Sequence, residues 1–141
     1  MAVPLADAAA AEVAITAEAD LIRVRQILRS AAQRAGLGLV DETKFVTAGS
    51  ELGRNILTYA TGSRGRLTVE PVSRAGRRGV RATFSDDGPG IEDIEAAFTD
   101  GYSSSGSLGL GLPGARRLVD ELALTSSAAE GTTVVIVKWA R

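Results

Sequence analysis

An alternating apolar run, Val80, Ala82 and Phe84, passes straight into Ser85-Asp86-Asp87-Gly88-Pro89-Gly90-Ile91. The two-residue period is that of a half-buried strand, and the turn that ends it holds two glycines and a proline. A strand stopping at Asp-x-Gly-x-Gly puts one carboxylate at the strand end and brings bare backbone close to whatever lies beyond. Glycine permits that approach because it has no Cβ and accepts positive φ. The competing reading is a tight turn with no function, which has the same composition.

The rest of the chain supplies partners for that strand. Val13–Thr16 forms a short first strand. Thr16 is placed to N-cap a helix with Glu18 and Asp20 in its first turn. Leu21, Val24, Leu28, Ala31 and Ala35 then recur at helical spacing, Ile22 and Ile27 widen the stripe, and Gly36 and Gly38 stop it. A second helix starts at Asp41 and runs to about Ala60, burying Phe45, Ala48, Leu52, Ile56 and Tyr59. Arg66–Val72 and Gly79–Ser85 read as a hairpin joined by the polar loop Ser73–Arg78, with Pro71 at a strand end or edge. Ile94, Ala97 and Phe98 suit a short helical turn, and Thr99–Ser107 is small, polar and glycine-rich, a mobile lid.

A third helix starts around Leu110–Pro113 and buries Leu112, Ala115, Leu118, Val119 and Leu122. Strands Leu122–Ser127 and Thr132–Trp139 close the chain across a turn at Glu130-Gly131, with Trp139 packing at the sheet end. The order predicts an α+β fold, a two-layer α/β sandwich with helices on one face of a mixed sheet. Residues 1–12 are expected to form a flexible segment and 13–141 a single domain.

Composition removes several chemistries. The 141 residues include no cysteine and no histidine, so disulfides, thiolate or imidazole metal sites, a Ser-His triad and a phosphohistidine are all excluded. Sixteen basic residues against seventeen acidic ones leave no field that argues for nucleic acid or an anionic membrane. No stretch is long and apolar enough to span a bilayer, and Met1–Ala11 lacks the basic start of a signal peptide. A cytoplasmic location is the expectation.

Two further stretches carry polar groups suited to a ligand. Glu51 and Asn55 fall on one side of the second helix, just outside its buried stripe, with Thr47 and Thr58 beside them. Asn offers a neutral oxygen to a hard cation such as Mg²⁺, and Glu one turn earlier could deprotonate a hydroxyl or water. A solvated polar stripe is the competing reading. Gly106-Ser107-Leu108-Gly109-Leu110-Gly111-Leu112 leads into a helix N-terminus, where converging N–H groups suit phosphate oxygens. Gly109-Leu-Gly111-Leu-Pro-Gly114 matches G-x-G-x-x-G formally, but no strand precedes it, so the dinucleotide reading fails. Asp86 at its strand end could accept a hydrogen bond from an exocyclic amine such as adenine N6. Ser103-Ser104-Ser105 has no histidine base and reads as lid; Arg77-Arg78 reads as solvated loop.

Taken together, these motifs resemble the nucleotide-binding (Bergerat) fold of the GHKL superfamily, shared by gyrase, Hsp90, histidine kinases and MutL. Glu51-Leu-Gly-Arg-Asn55 is similar to its N box, Asp86-Asp-Gly-Pro-Gly90 to its adenine box and Gly106–Gly111 to its lid box. Glu130-Gly-Thr-Thr133 resembles the closing Gly-Thr element. Within the superfamily, Ser50–Ile56, Asp100-Gly-Tyr-Ser103, Gly109–Gly114 and Lys138-Trp-Ala-Arg141 resemble the anti-sigma regulatory serine/threonine kinases, in particular the switch kinases of the stressosome.

The resemblance implies ATP and Mg²⁺ as cofactors and a STAS-domain antagonist phosphorylated on Ser or Thr. It also implies a second partner, a PP2C-type phosphatase or a sigma factor. Carried over by position, Asn55 would ligate Mg²⁺ and Glu51 would activate the acceptor hydroxyl. Asp86 would read adenine, with Gly88, Gly90 and Thr132 or Thr133 around the purine. Gly106, Leu108, Gly109, Leu110, Gly111 and Leu112 would wrap the phosphates. Some relatives place an arginine in the lid, yet Ile91–Ala115 holds no Lys or Arg. Neutralisation then falls to Mg²⁺, backbone amides, Arg54 or Arg116, or a partner residue. Two alternatives stand beside the kinase: a nucleotide-gated binding module that sequesters a partner with little turnover, and a plain ATPase.

Overall fold

The computed structural model describes residues 11–59, 64–88, 111–127 and 131–141. Among them β1 (Ala11–Ile15) leads into two helices, α1 (Asp20–Arg34) and α2 (Leu39–Tyr59). The hairpin β2 (Gly65–Arg74) and β3 (Arg77–Asp86) follows, then α3 (Gly111–Leu118) and a second hairpin, β4 (Glu121–Ser127) and β5 (Gly131–Trp139). The strands form one sheet in the order β1-β2-β3-β5-β4.

Every described pairing is antiparallel, where a mixed sheet was expected. The reason is topological. The crossover through α3 returns β4 pointing the same way as β3, but β5 inserts between them, so the two co-directional strands never touch. The α+β architecture with helices on one face stands.

That one-sidedness follows from strand alternation. Leu67 and Val69 on β2, Val80, Ala82 and Phe84 on β3, and Val134 and Ile136 on β5 join one core with Val24, Leu28, Phe45, Ala48, Leu52 and Ile56 of the helices. The opposite face carries charge: Arg66 pairs with Glu12 at 3.6 Å and Arg81 with Glu70 at 3.0 Å. An antiparallel sheet tolerates water on one face in this way. Gly49 sets the height of α2 above the core. A Cβ there would lie 2.3 Å from Leu28 Cδ1 and 3.3 Å from Phe84 Cζ.

Local departures from the sequence reading have local causes. The first helix starts at Asp20, not after Thr16, because Asp20 Oδ2 accepts the Thr16 and Ala17 N–H groups at 2.8 and 3.0 Å. Those two bonds hold the Asp20 carboxyl below its ordinary pKa. Ile22 does not widen the buried stripe; it is 56% exposed. The expected loop Ser73–Arg78 contracts to the two-residue turn Ala75-Gly76, with φ of 51° and 81°. Positive φ at both central residues is the mirror-image turn that matches strand twist. Pro71 lies inside β2 opposite Val80, two residues past Val69, which pairs with the first described residue of β1.

The far end of the sheet is locked by charge. Lys138 shares the inward face with Ile136 and its side chain is only 5% exposed, with Nζ 3.4 Å from Asp41 Oδ1 and 3.7 Å from Asp120 Oδ1. Arg141 pairs with both carboxylates, and Asp120 also accepts the Trp139 N–H at 2.7 Å. Trp139 is buried on the outer face, with Arg74 4.8 Å above its ring and its indole N–H donating to Glu121. Asp41 thus sits in the first turn of α2 as an ion-pair partner, two residues inside the helix that was expected to start at it.

Burial pushes the Asp120 carboxyl up, but the Trp139 N–H, Lys138 and Arg141 together bring it below its ordinary value of 3.8. A depressed carboxylate contributes stability above its ordinary pKa and loses it as pH falls through the folded value. Asp120→Asn should therefore cost about 1.5–3 kcal/mol at pH 7, the range for a hydrogen bond to a charged group. The gap from wild type in urea unfolding should narrow below about pH 4. A pH-independent gap would remove this account of the cluster.

Candidate functional site

The strand end that bears Asp86 lies at the other end of the sheet. Asp86 is the last residue of β3, on the same face as Phe84, and therefore on the helix side. It is flanked in register by Gly65 of β2 and Thr132 of β5. Neither neighbouring strand leaves spare room. A Cβ on Gly65 would lie 2.4 Å from Ile56 Cγ2 and 3.0 Å from the Ile15 carbonyl oxygen. Ile56 follows Asn55 on α2, so this contact is what brings the Glu51–Asn55 helix down onto the strand end that bears Asp86. Gly131 does the same for β5. Its φ is +78°, and a Cβ would stand 2.0 Å from the Asp86 carbonyl oxygen and 2.9 Å from Asp87 Cα.

Two carboxylates divide the work at the turn. Asp87 ties it to the start of β2: its Oδ1 accepts the Arg64 N–H at 2.6 Å, and its own N–H donates to the Arg64 carbonyl. Asp86 Oδ1 accepts the N–H of buried Gly88 at 2.9 Å, and its second oxygen has no partner among the described residues. A half-buried carboxylate with one oxygen fixed and one open is an oriented acceptor.

On α2, Glu51 and Asn55 are both half-buried beside Leu52 and Ile56 of the core stripe, while Thr47 and Thr58 are exposed. Neither Glu51 nor Asn55 makes a side-chain hydrogen bond within the described residues. Arg54, exposed between them, pairs with Glu18 at 3.2 Å. On β5, Thr132 lies on the Asp86 face and shares a 2.9 Å hydroxyl contact with Ser126. Thr133 pairs with Ser85 and, by alternation, belongs to the opposite face. Of the two threonines, Thr132 is the one beside Asp86.

Gly111, with φ +56°, opens α3. The Leu112 side chain is buried in the core, so its part in a phosphate cradle is limited to its backbone; the side chain anchors α3. Gly90, Gly106, Leu108, Gly109 and Leu110 lie outside the described residues, as do Ile94–Phe98, the rest of the lid and Ser103–Ser105. Tyr59 closes α2, but its side chain is outside the description. The sequence reading missed Arg64 and Gly65. A lone glycine opening an alternating strand is a signal of close backbone approach.

Residues 14–138 match the model of the histidine kinase-like ATPase domain. The chain belongs to that family. It is 45% identical over 129 residues to the serine/threonine-protein kinase RsbT of Bacillus subtilis (strain 168), which covers 92% of this chain and 96% of RsbT. It is also 30% identical over 99 residues to the anti-sigma F factor of Clostridium novyi (strain NT), 68% and 69% of the two chains. Among the described residues, no helix is long and apolar enough to cross a membrane.

The fit of a divalent cation is decided by donor chemistry. Among the described residues no group of three or more acidic side chains could cage a metal. What the site offers is one carboxamide oxygen on Asn55, unengaged, one turn from a carboxylate. That set suits Mg²⁺, which prefers oxygen and is commonly held by few protein ligands together with substrate phosphates.

Proposed function

We infer that this chain is an ATP-dependent protein serine/threonine kinase of a partner-switching signalling system, and that it phosphorylates a Ser or Thr of a STAS-domain antagonist. The observation that carries the reading is the contact between Ile56 and Gly65. It sets the Glu51–Asn55 helix against the strand end bearing Asp86, the juxtaposition a nucleotide needs in order to touch both. Asp86 accepts the adenine amine through its open oxygen, with Thr132 and Gly88 beside the purine. Asn55 holds Mg²⁺, which when bound draws charge from the nucleotide phosphates. The Gly106–Leu112 backbone surrounds those phosphates.

Glu51 takes the proton from the acceptor hydroxyl as that oxygen bonds to the γ-phosphorus. The bond from the γ-phosphorus to the β–γ bridging oxygen breaks, and ADP leaves with the electron pair. Phosphoryl transfer asks a protein chiefly for positioning and charge stabilisation, so a short set of side chains suffices. Released from its antagonist, the kinase binds and activates a PP2C-type phosphatase. The alternative of a sequestering module with little turnover is favoured by the likeness to an anti-sigma factor.

The test is incubation with γ-labelled ATP, Mg²⁺ and the STAS-domain proteins encoded beside this gene. Label on a Ser or Thr of one of them is the expected result. Tight, nucleotide-dependent binding with no label transferred would replace the kinase by the module.

A further inference from the structure

Two neighbouring aliphatic side chains point into solvent where α2 begins. Leu39 is 76% and Val40 67% exposed, and Ile22 is the one other large apolar side chain so exposed among the described residues. The α1–α2 turn that carries them lies at the end of the molecule away from Asp86, since Arg78 donates to the Arg34 carbonyl and Asp41 pairs with Lys138. We propose that this turn docks an acidic amphipathic helix of the PP2C-type phosphatase, the partner that is regulated and not phosphorylated. The proposal rests on the partner-switching reading above and locates a contact which that reading leaves unplaced.

The apolar pair stands on ordered backbone. Leu37, just before it, is buried in the core, and its N–H donates to the Ala32 carbonyl at 3.1 Å. Thr43 Oγ1 donates to the Leu39 carbonyl at 2.9 Å, and the Glu42 N–H to the Gly38 carbonyl at 2.8 Å. A surface already fixed in this way loses little freedom when a partner settles on it.

The charges around the pair name the kind of partner. Asp41 is committed to Lys138 and Arg141, and buried Glu42 to Arg29 and Gln33. Lys44, one turn along α2 from Val40, has no side-chain hydrogen bond or ion pair among the described residues. Arg34 and Arg78 bound the turn on its other side; they donate to Ser30 Oγ and to the Arg34 carbonyl, so neither meets a carboxylate. An apolar spot flanked by cations complements a helix whose apolar stripe is edged with Asp or Glu. The same rim disfavours a second copy of this chain, which would bring like charges together. Two aliphatic side chains are also far less than the apolar face a membrane-surface helix inserts. From Leu39 to Glu51 α2 rises about 18 Å. A helix docked at the turn therefore leaves Glu51 uncovered, which suits a partner that is bound without being phosphorylated.

The test compares wild type with Leu39→Asp/Val40→Asp, with Lys44→Glu, and with Arg66→Glu, an equal charge change on the outer sheet face. Acidic residues in a first helical turn suit the helix dipole, so the double variant keeps α2. Each protein is titrated with the PP2C-type phosphatase encoded beside this gene, then assayed for ADP affinity and for label transfer to the STAS-domain protein. The double variant should bind the phosphatase at least tenfold more weakly and Lys44→Glu about threefold, with ADP affinity and label transfer within twofold of wild type. Arg66→Glu should change none of these. Lysine in place of an acidic residue on the phosphatase helix should restore binding to Lys44→Glu. Phosphatase affinity unchanged in the double variant, or no phosphatase binding by wild type, would overturn the docking proposal while leaving the kinase standing. A raised KM for the STAS-domain protein would make the turn a substrate contact and overturn it too. So would loss of self-association, or of binding to phosphatidylserine vesicles, with phosphatase affinity intact. Weakened phosphatase binding with no label transferred even by wild type would sustain the docking site and sink the kinase.

Discussion

Glu51→Ala should lower phosphate transfer by about 10²- to 10⁴-fold at saturating substrates, the usual worth of a positioned general base. Affinity for Mg²⁺·ADP should stay within about threefold, because the proposed role of Glu51 concerns the acceptor and not the nucleotide. The side chain is half-buried and unbonded within the described residues, so its removal should shift stability by no more than about 0.5 kcal/mol. That combination separates the two readings of the fold. A sequestering module would lose nothing measurable when Glu51 is truncated, since partner regulation would not pass through a proton transfer. Single-turnover transfer of label from ATP, with ADP titration on the same preparation, gives both quantities. Transfer within tenfold of wild type would remove Glu51 from the chemistry.

Asp86→Asn should weaken ADP binding by about 10- to 100-fold, corresponding to the 1.5–3 kcal/mol of a hydrogen bond to a charged group. The substitution is informative because of what it preserves. Asparagine keeps an oxygen for the Gly88 N–H, the bond that Asp86 makes at 2.9 Å, so the turn is held. What changes is the open oxygen, which becomes an NH₂ donor facing another donor, the adenine amine. Guanine presents a carbonyl at the equivalent position, so the preference for ADP over GDP should shrink together with the affinity. Calorimetry with both nucleotides checks this, and an undiminished preference for ADP would place the adenine elsewhere.

Much of the scaffold was legible because it rests on local periodicity. Phe45, Ala48, Leu52 and Ile56 announce the inner face of α2, and the alternation Val80, Ala82, Phe84 announces β3; all seven are buried. Pairing across the chain was not legible. The sheet order depends on β5 entering beside β3, and no local pattern encodes that choice. Lys138 defeats a hydropathy reading, since its burial depends on Asp41 and Asp120 arriving from two distant segments. Ile22 fails the other way, apolar yet exposed, because the α1 stripe is narrower than its composition.

At the site, the residue types of Glu51, Asn55 and Asp86 could be read from sequence. The contacts that hold them together could not. Gly131 against Asp86 joins segments far apart in the chain, and Ile56 against Gly65 depends on how α2 folds back on the strand that follows it. Thr132 and Thr133 were indistinguishable until the register put only Thr132 on the Asp86 face.

The central claim is that one nucleotide touches Asn55 and Asp86 at once, and a crystal structure of the Mg²⁺·ADP complex measures it directly. The adenine amine should lie on the open oxygen of Asp86, with the magnesium on the Asn55 carboxamide and the diphosphate between them. A nucleotide bound away from either residue, or a magnesium held without Asn55, would contradict the account.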